Sequence, residues 1–124
     1  DLAISSVSAS GLTITNSGGV GIKLEKKVSN DGADWTLVDT TGETDKFVLW
    51  AMTNASTPIE GNFTGGHKFA TPENTANSLT DLGGTQTALS PNGTAKLWFR
   101  LDMPSSVSSG NSQTITVTVR AIAQ

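Results

Sequence analysis

The chain has 124 residues, a formal net charge of −3 and a pI near 4.9, with no cysteine and only 15% charged residues. That length fits one domain with a single core. The acidic balance argues against nucleic acid as a partner, and the missing cysteines exclude disulfides and thiol chemistry. Ser and Thr make up about a quarter of the chain, well above ordinary usage, and Gly is abundant. This composition suits a β-rich secreted or surface protein. The chain opens on Asp1, which fits a signal peptide removed on export, although a piece of a longer chain would look the same.

No helical period is sustained beyond two turns, and no apolar run approaches the ~18 residues of a membrane helix. Strand patterns recur instead. Residues 2–8, "LAISSVS", form a weak strand with Leu2, Ile4 and Val7 as its apolar positions. In "LTITNS" (12–17), Leu12 and Ile14 alternate with Thr13 and Thr15. "VGIKLEKKV" follows, with Val20, Ile22 and Leu24 on one face. "SNDGADW" suits a turn, and "DWTLVD" (34–39) is expected to return beside the preceding strand as a hairpin.

"KFVLWAMT" (46–53) is apolar on both faces, which predicts cover on both. Residues 54–93 read as irregular, with short strands expected near 67–70 and 85–89, since a plain loop of that length is uncommon. In "TAKLWFRLD" (94–102), Ala95, Leu97, Phe99 and Leu101 are expected to face the core, and Lys96, Trp98, Arg100 and Asp102 to face out. "TITVTVRAI" (114–122) alternates without a fault, and the ten-residue linker "MPSSVSSGNS" (103–112) permits pairing in either sheet. The spacing predicts an all-β fold. An antiparallel β-sandwich, immunoglobulin-like or jelly-roll, of about seven to nine strands over residues 1–124 is the expected architecture.

Several residue patterns bear on chemistry. Asp31 and Asp34, with Asp39, Glu43 and Asp45 nearby, are weak calcium candidates, because calcium prefers carboxylate and carbonyl oxygens on turns; tight turns use the same residues. His67 stands alone and cannot build a zinc site. No paired carboxylates or nucleophile–base constellation stands out, so an enzyme is not expected, nor any cofactor. Asn54, Asn62 and Asn92 head N-x-[ST] sequons in predicted turns and are candidates for covalent glycans. Trp35, Trp50 and Trp98 raise the idea of a sugar-stacking platform; Trp50 reads as core or interface, and Trp98 as either exposed or covered by another chain.

"DKFVLWAM" and "KLWFRLDMPSSVSSGNSQTITVTVRA", together about the second half of the chain, resemble secreted β-sandwich proteins of extracellular structures. More broadly the design is similar to fibre subunits joined by strand exchange. That resemblance implies an extracellular homopolymer without catalytic residues. The leading expectation is therefore a filament subunit, pilus-like or from a biofilm matrix, joined by β-strand complementation. Residues 1–10 would be the exchanged donor, with Leu2, Ile4, Val7 and Trp98 at the polymer interface. A non-catalytic carbohydrate-binding module is the alternative from another class, and a virion or surface-layer protein is a third reading.

Overall fold

The computed structural model describes residues 5–30, 32–40, 42–69 and 79–124. Leu2, Ile4 and Asp31 lie outside the described residues. The fold is mostly β, in two sheets. The strands are β1 (Ser5–Val7), β2 (Leu12–Thr15), β3 (Ile22–Asn30), β4 (Thr36–Leu37), β5 (Lys46–Thr53), β6 (Thr80–Asp81), β7 (Gly83–Gly84), β8 (Ala88–Leu89), β9 (Thr94–Asp102) and β10 (Thr116–Ala123). Four of the ten are two-residue segments, too short to read from alternation.

The first sheet is built on β9, the strand with the cleanest alternation. β5 pairs along one side of it, while β1 and β2 follow one another along the other side. Within the segment 1–10, Ser5–Val7 thus pair with Arg100–Asp102 of the same chain. The second sheet is built on β3. β10 lies along one edge of it, and β6 and β8 share the other. The perfect terminal strand therefore crosses to the sheet opposite β9.

Two pairings depart from the expected antiparallel pattern. β4 and β7 both run parallel to β5. Residues 34–39 do not return beside β3 as a hairpin. They cross to the first sheet, where Leu37 is buried and the Trp35 ring lies 5.9 Å from that of Phe47. Burying two large apolar side chains against β5 outweighs a local hairpin that would leave them less covered. β7 approaches β5 so closely that a Cβ at Gly84 would lie 2.3 Å from the Thr53 carbonyl oxygen, and Gly84 has φ +112°. Only glycine fits both constraints.

The main core lies between the sheets. Leu24 and Val28 meet Phe47, Leu49, Ala51, Ala95 and Leu97, with Phe69, Leu82 and Leu89 closing one side. A second apolar cluster lies on the other face of the first sheet, where Val48, Trp50, Met52 and Trp98 are covered by Phe63. This explains the doubly apolar β5. The segment after it folds back through two 3-10 turns, Glu60–Asn62 and Gly65–His67, and supplies the lid. No helix among the described residues is long and apolar enough to cross a membrane.

Candidate functional site

The two sheets are joined at one end by Asn16. Its side-chain amide donates to the carbonyls of Val20 (2.8 Å) and Leu89 (3.0 Å), and its backbone N–H donates to Gly93. This places Thr15, Thr94, Ile22 and Ala123 at one end of the molecule, and Ser5, Asp102, Asn30 and Thr116 at the other.

Near the Asn16 end the space between the sheets is open along one side. Residues directly opposite in an antiparallel pair share a face. Ala121 is opposite Leu24, and Ala123 opposite Ile22, so both alanines lie on the core face of β10, yet both are exposed. Leu12 is opposite Leu97 on the core face of the first sheet, but is 60% exposed while Leu97 is fully buried. Ile14, Phe99, Leu101 and Val119 pack on the core while only half-buried. The result is an apolar seam walled by β2 and β10. β10 is the terminal strand of its sheet, so it presents a further row of backbone donors and acceptors that pair with no strand among the described residues. Val20 and Ile122 add exposed apolar surface near the same end.

Trp98 is not at this seam. It was expected to face out, but it is 4% exposed, under the chain's own lid. Its indole Nε1 donates to the Asn54 carbonyl at 2.9 Å, and Gly11 lies flat against its ring. Trp50 is also buried, between the Lys68 ammonium (4.9 Å from the ring centre) and the Arg100 guanidinium (4.8 Å). Trp35 is half-buried, so the three indoles form no exposed row of the kind that stacks sugars. Asp102, also expected outside, is buried and takes a two-pronged bond from Arg100 at 2.7 and 2.9 Å. Val7 is half-buried against the outer cluster.

Asp34 is exposed, and one carboxylate oxygen accepts from Ser109 (2.7 Å), Gln113 (3.0 Å) and Asn111 (3.4 Å). These bonds hold its pKa below the usual carboxylate range. They tie the linker before β10 to the turn after β3. No group of three or more His, Cys, Asp or Glu side chains suited to a metal occurs among the described residues. Asn62 and Asn92 are exposed, and Asn54 is half-buried with its amide donating to the Ser56 carbonyl. His67 is half-buried; burial, then the charge of Lys26, lowers its pKa.

Lys26, in the middle of β3, belongs to no sequence motif. Its side chain is fully buried, and the ammonium donates to the carbonyls of His67 (2.7 Å) and Ala51 (3.2 Å), with the Phe69 ring 5.2 Å away. Burial lowers its pKa to about 7, against a partial rise from Asp81. The signal was present: Ile22, Leu24, Lys26 and Val28 share one phase, so a lysine occupies a core position.

No protein-family model, curated protein or solved structure matches the chain.

Proposed function

We propose that the chain is a structural subunit of an extracellular filament, a β-sandwich of immunoglobulin-like or jelly-roll type that assembles with copies of itself by β-strand complementation. The observation that carries this reading is the seam. β10 is fully formed yet keeps Ala121 and Ala123 of its core face in solvent, beside an edge that pairs with no strand among the described residues. A monomer that stayed a monomer would gain by closing such an edge. A strand laid there adds main-chain hydrogen bonds along β10 and covers Leu12 and Ile14 with alternate apolar side chains. The high Ser/Thr and low charge suit a surface that packs against its own copies outside the cell, and the exposure of Asn62 and Asn92 supports a covalent glycan on either. The role requires no catalytic group.

Electron microscopy of the concentrated native protein tests the reading. Helical filaments of uniform width are expected. Particles that remain monomeric at every concentration and salt would reject it.

A further inference from the structure

We infer that a cavity on the outer face of the first sheet, between β2, β9 and the segment joining β7 to β8, binds a single uronate unit of an acidic polysaccharide.

The register places the walls. Ala95 and Leu97 take the core face of β9, so Thr94 and Lys96 take the outer one, together with Thr13, which lies opposite Lys96. The backbone N–H of Asn54 donates to the Lys96 carbonyl at 3.0 Å and so sets Ala55 beside them. Gln86 comes from the segment between β7 and β8. Its backbone N–H donates to Oγ1 of the fully buried Thr53 at 3.0 Å. Thr13, Ala55, Gln86, Thr94, Ala95 and Lys96 line a cavity of about 200 Å³ that opens to solvent. That is below the ~300 Å³ at which drug-sized pockets begin, so it takes one small ring rather than an oligomer.

Two unmet groups define the ligand. Gln86 Oε1 is buried without a hydrogen-bond donor. Gln86 Nε2 donates to the Thr94 carbonyl, so turning the amide over would set two acceptors against each other. Oε1 is therefore the acceptor on this wall. The Nε2 contact is long, at 3.4 Å, so a small swing of the amide into the cavity costs little and gives Oε1 the donor it lacks. The Lys96 side chain is exposed and makes no ion pair among the described residues, unlike Lys23 with Asp81 or Lys46 with Glu43. No acidic side chain among the described residues lines the cavity.

The complement carries a negative charge for Lys96 and O–H donors for Gln86, with further hydroxyls for Thr13 and Thr94. A simple carboxylate has the charge without the donors, and a neutral sugar has the donors without the charge. A uronate joins both in one pyranose ring, and Ala55 offers its C–H face a small apolar contact. No aromatic side chain lines the cavity, so a single unit binds weakly, in the millimolar range. The cavity and the seam lie on opposite faces of the first sheet, so this inference stands or falls apart from the filament reading.

Saturation-transfer NMR of methyl β-D-glucuronide with the whole chain tests it, since the method reads weak ligands on subunits and fibres alike. Saturable binding is expected, at least about fivefold tighter than that of methyl β-D-glucoside, as one charge-assisted hydrogen bond would give. Lys96→Gln should remove that preference and leave both sugars at the weaker affinity. Gln86→Met, which keeps the length of the side chain but not its acceptor, should weaken both alike. Lys27→Gln, on β3 in the other sheet, should change neither. Lys96 is exposed, so its variant keeps the fold even where Gln86→Met does not. Four results would each overturn the inference: no saturable binding of the glucuronide; equal binding of the two sugars; a loss on Lys27→Gln as large as on Lys96→Gln; or displacement of the glucuronide by sodium acetate at the same concentration.

Discussion

Ala121 lies directly opposite Leu24 across the β10–β3 pair, yet Leu24 is 1% exposed while Ala121 is open to solvent. One pair of residues on one face thus has a buried member and a wet member. The first sheet covers β3 but not the far half of β10. Substitutions should separate the two positions. Leu24→Ala is expected to cost about 2–5 kcal/mol, as for other large-to-small changes in a core. Ala121→Asp should stay within about 0.5 kcal/mol of the parent in isolated subunits, because Ala121 is exposed among the described residues. The same aspartate should abolish assembly, since it would be buried without a partner under an added strand. Urea unfolding and a sedimentation assay read the two effects independently.

Lys26 predicts a dependence of stability on pH. In the unfolded chain its amine titrates near the ordinary value of 10.5, and in the fold near about 7. Between those values the unfolded chain holds a proton that the fold has released. Raising the pH therefore favours the fold. The slope approaches about 1.4 kcal/mol per pH unit within the window and flattens on both sides of it. Folding in the neutral form also keeps N–H donors for the carbonyls of Ala51 and His67. Lys26→Met should remove this part of the slope, so the difference between the two proteins' unfolding free energies is measured from pH 7 to 10. Parallel curves would show that the amine stays charged in the fold.

How far these features were legible follows from particular residues. The alternation of β9 and β10 placed Ala95, Leu97, Phe99 and Leu101 on the core face, as found, and the doubly apolar β5 announced its two clusters. Alternation reports which face is buried but not which strand lies alongside. That is why residues 34–39 were expected beside β3 when β4 runs parallel to β5. Trp98 was expected outside because its cover comes from a segment without periodicity, and only a tertiary contact such as Phe63 reveals that lid. The open seam was not readable either: Ala121 continues the pattern of Val117 and Val119 without any sign that the opposing sheet has ended.

The lid is anchored by charges of unequal worth. Arg100 grips the buried Asp102 with two bonds and reaches Glu60 of the lid at 3.0 Å, where the carboxylate is mostly exposed. Glu60→Gln should cost no more than about 1 kcal/mol, and less in high salt. Asp102→Ala leaves Arg100 largely buried without its partner and should cost about 3–5 kcal/mol. Thermal unfolding of the two variants at low and high salt checks both the ranking and the screening. Equal costs would mean that the inner pair contributes no more than the outer one to holding Arg100 over Trp50.

Gly11 connects the first strand segment to that lid. A Cβ there would lie 2.8 Å from Cε2 and 2.9 Å from Cζ2 of the Trp98 ring. The ring has little freedom to retreat, because its Nε1 is bonded to the Asn54 carbonyl and its other neighbours are Met52 and Phe63. Gly11→Ala should therefore cost about 1–3 kcal/mol through overpacking. The displaced indole should also admit water, giving a red-shifted tryptophan emission and greater quenching by iodide in the folded protein. Gly19→Ala, with no heavy atom within 4 Å of its Cβ, is the matched control and should leave both readings unchanged. If Gly11→Ala behaves like the control, the close approach of the residue preceding β2 to Trp98 is not what holds that segment in place.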